Sequence, residues 1–265
     1  MHELFAQTKL ALDECDITQK SNLVKALHQQ FASETMAIDR AHHPLPIGEA
    51  GRPIKPLLVL PKHLPKRKVT TREGRAALLH SIAHIEFNAI NLALDAVYRF
   101  PSMPDAYYRD WLDVASEECY HFGLINAYLN ELGYTYGDFP GHNGLWSMAI
   151  ETANDVLVRM ALVPRVMEAR GLDVTPGIMK KFKEVNDHRA LEILTIIERD
   201  EIGHVAKGSF WYQHLCQQRS LDPLKTFQSL LLEYGPHHIK RPFAVENRLA
   251  AGFTPEDMAL LEAMA

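Results

Sequence analysis

Residues 111–132, WLDVASEECYHFGLINAYLNEL, contain a Glu-x-x-His pair inside an apolar helical pattern. Residues three apart on an α-helix lie on one face, so Glu118 and His121 project from the same side one turn apart. A second pair, Glu201 and His204, lies 83 residues further on, again within an apolar stripe. Burying an isolated carboxylate in such a stripe is unfavourable. The two pairs therefore predict metal ligands that point into a helical core.

A third acid, Glu86, lies in the middle of another apolar stripe. The stripe belongs to a helix predicted over residues 71–99, and Glu86 is its one ionisable member. Pro101 and Pro104 then mark a turn before a helix predicted over 105–132. Glu86 precedes the first proline by 15 residues and Glu118 follows the second by 14, so an antiparallel hairpin brings both acids to the same height. One half of a two-metal site follows from this local geometry.

The second half of the site is less well defined by the sequence. Glu168 precedes Glu201 by 33 residues, close to the 32 that separate Glu86 from Glu118, and this similarity suggests a duplicated helical hairpin. Glu151 is the alternative, on a helix that begins near residue 145. The spacing favours Glu168, although Gly171 predicts that its helix ends near residue 170. Asp173, Thr175 and Pro176 then predict the start of a new helix.

Four carboxylates and two neutral imidazoles are ligands that suit Fe(II) or Mn(II). We therefore expect two metal ions, iron first and manganese as the other possibility, with Glu118 and Glu201 bridging them. The expected ligands are Glu86, Glu118, His121, Glu168, Glu201 and His204.

Further acids adjoin the predicted ligands. Glu117 and Asp200 each precede a ligand glutamate directly and are predicted to orient the ligand histidines. Glu198, one turn before Glu201, is either an additional ligand or part of an ion pair. The competing hypothesis is a purely structural network, in which the buried acids pair with Arg165, Arg170 or Arg199.

Composition indicates one helical protein with a large core. The chain has 265 residues, 47% of them hydrophobic, and a net charge of −5, which gives no electrostatic reason to bind nucleic acid or a membrane. The basic run at 62–68 is interpreted as a solvated loop. No signal peptide and no apolar run of about 20 residues is recognisable. Cys15, Cys119 and Cys216 form no metal or disulfide pattern, so we expect a reducing, cytoplasmic location. We expect a monomer or small oligomer, because the segments outside the bundle disfavour a closed shell of many subunits.

The chain is predicted to divide into three parts. Residues 1–70 comprise one or two helices, with Asp16 or Thr18 as a cap, and a proline-rich arm at 42–65 that wraps the bundle or reaches a partner subunit. Residues 71–218 form the bundle, and residues 219–265 form a helical extension. The predicted helices of the bundle span 71–99, 105–132, 145–170, 176–185 and 188–218, and those of the extension end near Tyr234 and begin at Pro255.

The six predicted ligands resemble those of the ferritin-like dimetal-carboxylate superfamily. The stretches 80–91, 117–132 and 166–205 more narrowly resemble a bacterial ferritin-like family of unassigned function. The Glu-Ala-Arg triplet at 168–170 is similar to one in the diiron tRNA hydroxylase branch. The resemblance covers about residues 70–218. It implies an all-α, ferritin-like four-helix bundle with N- and C-terminal helical extensions.

The resemblance implies a dimetal protein but not its substrate. We expect an oxygen-dependent oxidoreductase or hydroxylase that acts on a small molecule or a modified nucleoside. Ile125 stands where the similar radical-storing reductase subunits have tyrosine, so radical storage is not expected. The long segments on either side of the bundle disfavour a storage cage. The alternative is a non-enzymatic, iron-handling or metal-binding protein, and a purely structural bundle is a third possibility.

Overall fold

The computed structural model describes residues 2–65, 67–235 and 238–265. Helices dominate these residues, and the paired strands among them are only two residues long, β1 (His2–Glu3) and β2 (Met36–Ala37), which run parallel. The all-α class is thereby confirmed. The chain forms two compact units, an N-terminal unit of residues 1–150 and a C-terminal unit of residues 151–265. The three-part division at residues 70 and 218 stays a prediction.

The N-terminal unit is organised around a long helical hairpin. Its two arms pack along each other, and two shorter helices from the start of the chain pack against them. Asp16 caps one of these short helices by accepting from the Gln19 amide at 2.8 Å, as predicted. The helices are α1 (Leu4–Asp13), α2 (Ile17–Ala32), α3 (Arg72–Arg99), α4 (Asp105–Glu131) and α5 (Gly144–Glu151), the last of which ends at the unit boundary.

The helix α3 is the centre of this unit. Thr71 caps it by accepting from the Gly74 amide at 3.0 Å, and every residue from 86 to 100 is buried. A helix buried on all sides must satisfy its polar side chains internally. Arg99 does so by donating from Nε to both carboxylate oxygens of Asp95, at 3.0 Å each.

Lys20 is the buried ammonium that attaches the N-terminal helices to α3. Its Nζ donates to the carbonyls of Ala11 and Leu12, at 2.9 and 3.0 Å, and to Oδ1 of Asn91 at 2.7 Å. These three acceptors match the three donors of an ammonium group. Burial nevertheless disfavours the charge and lowers the pKa of Lys20 to about 8.

The proline-rich arm lies on its own unit. Val59 donates its amide to the Gly141 carbonyl at 2.9 Å, and Gly141 donates back to the Leu57 carbonyl at 3.0 Å. Trp146 donates from its indole to the Gly48 carbonyl at 2.9 Å. Of the two predicted roles for the arm, the structure supports contact with its own chain.

The C-terminal unit is built on one long helix, α8 (His188–Gln218). Some of the helix boundaries predicted for this unit were wrong. The predicted helix over 145–170 is interrupted at 152–155, because Asp155 caps a new helix by accepting from the Leu157 amide at 2.8 Å. Six residues then widen into a π-helix, Val163–Glu168. The helices are α6 (Val156–Leu162), α7 (Ala169–Glu184), α8 (His188–Gln218), α9 (Pro223–Tyr234), α10 (Val245–Ala250) and α11 (Pro255–Met264).

The predicted break between Gly171 and Pro176 is absent. Asp173, which looked like the cap of a new helix, is buried inside α7 and binds Arg248 through two bonds of 2.8 and 2.7 Å. Its carboxylate therefore serves a tertiary contact instead of a helix end. Pro176 lies inside α7, which continues to Glu184.

Buried arginines attach the C-terminal extension to the rest of its unit. Arg165 of the π-helix pairs with Asp257 of α11 at 3.0 Å, and Arg248 pairs with Asp173. The centroid of the Phe253 ring lies 4.3 Å from the Arg165 guanidinium and 5.0 Å from the Arg248 guanidinium. Among the helices of the described residues, none is long and apolar enough to cross a membrane.

The burial of Lys20 predicts a stability term that depends on pH. Its pKa is about 8 in the folded protein and about 10.4 when unfolded, so the unfolded chain binds more protons between these values. This site therefore makes the protein more stable as pH rises through that window, by about 2 kcal/mol between pH 7.5 and 10. The Lys20→Met variant should lack this pH-dependent contribution. Urea unfolding at pH 7.5 and pH 10 measures the free energy of unfolding of both proteins.

The matched control is Lys25→Met, which removes an exposed lysine from the same helix. We expect this control to keep the pH dependence of the wild type. Equal pH dependence in wild type and Lys20→Met would contradict the assignment of the term to Lys20.

Candidate metal centre

The hairpin of α3 and α4 brings three of the predicted ligands together. Nδ1 of His121 lies 3.2 Å from Oε2 of Glu86 and 3.5 Å from Oε2 of Glu118. One ligand atom from each of the three residues lies within 4.8 Å of the other two. The side chains are buried, with 3%, 1% and 0% of Glu86, Glu118 and His121 exposed. The N-terminal unit therefore contains a compact Glu-Glu-His cluster.

The electrostatics of this cluster favour a positive charge at its centre. Burial alone would lower the pKa of His121, but the adjacent carboxylates of Glu118 and Glu86 outweigh burial and raise that pKa to about 11. Two buried carboxylates thus face a single ring nitrogen. A divalent cation at this nitrogen would replace its proton and balance both acids.

The distances also fit a metal ion. Iron, manganese and zinc bind oxygen and nitrogen ligands at about 2.0–2.2 Å, so neighbouring ligand atoms around one ion lie about 3 Å apart. The separations of 3.2 and 3.5 Å in the cluster are close to this value. The donor set, two carboxylates and one imidazole, is one that Fe(II) and Mn(II) accept. The residues present therefore fit the metal that the sequence predicted.

The C-terminal unit contains the second Glu-x-x-His pair. Nδ1 of His204 lies 3.3 Å from Oε1 of Glu201, the same ring atom and the same one-turn spacing as in the first pair. The His204 side chain is fully buried, and 14% of the Glu201 side chain is exposed. This pair repeats the local chemistry of α4 on α8.

Glu168 lies at the end of the π-helix, a feature that sequence analysis missed. The π-helix begins with Val163 and Pro164. A proline inside a predicted helix was the sequence signal for this irregularity, because its ring clashes with a regular helix and it has no N–H to donate. Glu168 is partly buried there. π-Helical turns are rare and often occur at functional sites.

Gly208 allows this π-helix to pack closely against α8. A Cβ atom added at Gly208 would lie 2.2 Å from Cβ and 2.3 Å from Cγ of Pro164, closer than any real contact. The glycine stands four residues after His204, on the same helical face. Any larger side chain at Gly208 therefore forces Pro164 and α8 apart.

The alternative ligand Glu151 and the possible ligand Glu198 have different environments. Glu151 is the last residue of α5 and is exposed. Glu198 is partly buried, and its Oε1 accepts from Nδ2 of Asn247 at 3.3 Å. Glu151 therefore lacks the burial of the other predicted ligands, whereas Glu198 shares the partial burial of Glu168 and Glu201.

The two acids that directly precede a ligand glutamate, Glu117 and Asp200, differ in their exposure to solvent. Glu117 is exposed on α4, whereas Asp200 is partly buried and accepts two hydrogen bonds from Arg199 at 2.7 and 3.1 Å. Their predicted role in orienting the histidines stays a prediction.

Two of the three arginines in the competing structural hypothesis, Arg165 and Arg170, bind groups of the C-terminal segment. Arg165 pairs with Asp257, and Arg170 donates to the carbonyls of Lys240 and Pro242 at 2.7 and 3.0 Å. Both contacts attach the C-terminal segment to its unit. Arg165 and Arg170 therefore serve the attachment of that segment, whereas Arg199 pairs with Asp200.

Comparison with known proteins gives a family without an assigned function. No solved structure matches the chain. An uncharacterized protein of Haemophilus influenzae is 46% identical over 266 residues, which cover 97% of this chain and 92% of that protein. The family described as "Protein of unknown function (DUF455)" matches residues 13–259. On both grounds the chain belongs to this family of unknown function.

Proposed function

We propose that this protein is a ferritin-like dimetal-carboxylate protein. Glu86, Glu118 and His121 bind one ion. Glu168, Glu201 and His204 complete the ligand set and bind a second ion. The observation that carries the proposal is the buried Glu-Glu-His cluster, whose ligand atoms have the spacing of a metal coordination shell. The repeat of the same pair on α8 supports a second ion. Iron is the proposed metal, with manganese as the other candidate.

Burial and chain geometry favour Glu168 as the sixth ligand. An acid that binds a metal in a dry core is expected to be at least partly buried, as Glu168 is and the exposed Glu151 is not. Gly208, on the helix that carries Glu201 and His204, packs against the π-helix that carries Glu168.

The proposed reaction is the oxygen-dependent oxidation or hydroxylation of an organic substrate, either a small molecule or a modified nucleoside. A bound pair of reduced ions supplies electrons to oxygen. The chain contributes ligands that are all oxygen or nitrogen and an apolar surrounding that limits water. Phe87, Phe122 and Ile125 are at most 3% exposed. The resemblance of residues 168–170 to the tRNA hydroxylase branch supports a nucleoside among the possible substrates.

Metal stoichiometry tests the proposed ligands. We expect two iron ions per chain after anaerobic loading and removal of excess metal, and about one in Glu118→Gln or Glu168→Gln, because each change removes a carboxylate ligand. Elemental analysis measures the ratio. Mn(II)-loaded protein should also give the EPR spectrum of an exchange-coupled pair.

Glu151→Gln is the matched control, because it removes an exposed acid of the same type. This control should retain two ions. Well under one ion per wild-type chain would contradict the proposal, and loss of an ion in Glu151→Gln alone would replace Glu168 by Glu151.

A pair of glycine variants tests the role of the π-helix. Gly203→Ala and Gly208→Ala gain the same helix propensity on α8, about 1 kcal/mol. A Cβ at Gly203 meets nothing within 4 Å, whereas one at Gly208 meets Pro164. We expect Gly203→Ala to bind metal like the wild type and Gly208→Ala to bind one of its two ions about 10- to 100-fold more weakly.

Metal titration measures both affinities, and circular dichroism of the two variants verifies that each remains helical. If a helical Gly208→Ala binds both ions with wild-type affinity, the π-helix does not position a ligand.

Oxygen consumption tests the reaction class. Anaerobic Fe(II) protein mixed with oxygenated buffer should consume about one oxygen molecule per two irons and remain a monomer or small oligomer. An oxygen electrode and size-exclusion chromatography measure the two quantities, with Glu118→Gln as the comparison. Mineralisation of hundreds of irons per particle would instead support the iron-handling alternative, and indifference to oxygen would contradict both.

A further inference from the structure

Residues 51–72, here called the basic arm, have an unusual charge. They contain seven basic residues and no Asp or Glu, in a chain whose net charge is −5. The basic residues are Arg52, Lys55, Lys62, Lys66, Arg67, Lys68 and Arg72. A block of one charge this long produces a local positive potential against an otherwise acidic protein.

The basic arm also exposes large aliphatic side chains. Ile54 is 96% exposed, Leu57 is 71% exposed and Leu60 is 59% exposed. The basic run at 62–68 was predicted to be a solvated loop, but its sequence did not indicate that three aliphatic residues beside it are exposed to solvent. Clustered exposed apolar side chains are typical of docking surfaces.

The arm is held in place while these side chains remain exposed. Its backbone pairs with Gly141 on both sides of Leu58, and the Arg67 guanidinium lies 4.8 Å from the centroid of the Phe139 ring. Lys62 and Lys68 are exposed, as is Lys55. Within the described residues, no carboxylate forms an ion pair with these three lysines. Their charges are therefore available to an external partner.

We propose that the basic arm docks on an anionic lipid surface. Aliphatic side chains flanked by lysines suit the boundary between acyl chains and negatively charged headgroups, where each group finds its preferred environment. The arm has no Phe, Tyr or Trp with which bases could stack, so the same charge is less suited to a nucleic acid. The docking is peripheral and independent of the proposed metal chemistry.

Vesicle co-sedimentation tests this surface. The full chain is mixed with vesicles of phosphatidylcholine alone, or of phosphatidylcholine with about one third phosphatidylglycerol, at low and high salt. We expect binding to the anionic vesicles only, weakened by salt because exposed charges are screened. Ile54→Ser with Leu57→Ser should lower this binding at least tenfold. Lys62→Glu with Lys68→Glu should lower it at least 25-fold, about fivefold for each charge removed.

Matched substitutions in the C-terminal unit serve as controls. Leu232→Ser removes a leucine that is 61% exposed, and Lys225→Glu reverses a lysine whose side chain is 82% exposed. Both should bind vesicles like the wild type, and all variants should show the helical content of the wild type.

Three results would overturn the proposal. The first is the absence of binding to anionic vesicles, and the second is equal loss of binding in the arm variants and the controls. The third is a different occupant for the arm. In that case the arm variants would abolish binding to RNA in a gel-shift assay, or would change the oligomeric state in size-exclusion chromatography, while vesicle binding stays as in the wild type.

Discussion

The contact of His121 with Glu86 and Glu118 is the constraint on which the N-terminal unit depends. Two carboxylates and an imidazole inside an apolar hairpin are stable only when they lie close together, because each would be unfavourable to bury alone. Their nitrogen–oxygen distances of 3.2 and 3.5 Å require α3 and α4 to keep one register at these residues. The length of both helices and the two prolines between them provide that register. The same cluster supplies the chemistry that we propose, so one arrangement of atoms accounts for both the packing and the candidate site.

The sequence predicted this hairpin well because its information is local. A helical stripe, a proline turn and three ionisable residues at matching heights lie within about 50 residues of chain, and side-chain direction on a helix follows from spacing alone. The Asp16 cap was also recognisable, since a cap acts on an amide a few residues away. The Glu-x-x-His pair on α8 was identified for the same reason.

The C-terminal unit was harder to predict because its decisive contacts are distant in the chain. Asp173 looked like a helix cap, but its partner Arg248 lies 75 residues away, and this ion pair holds it inside a continuous helix. Likewise, the role of Gly208 depends on Pro164, which lies more than 40 residues before it. Lys20 and Asn91 are a third example, since nothing near Lys20 in the sequence indicates a buried ammonium. Local rules fail where a polar group takes a remote partner, and such groups hold the extensions of this protein in place.

The Glu-x-x-His pairs on α4 and α8 have the same spacing, but the further acid proposed for each pair lies in a different kind of helix. Glu86 lies in the middle of a regular helix of 28 residues, so neighbouring turns fix its position on both sides. Glu168 lies where a π-helix of six residues meets α7, and a wider turn changes the direction in which the next side chains project. The π-helix is in turn held against α8 by the close approach of Pro164 to Gly208. On the proposed ligand assignment the two binding positions therefore differ, because a regular helix carries Glu86 whereas the junction of a π-helix with α7 carries Glu168.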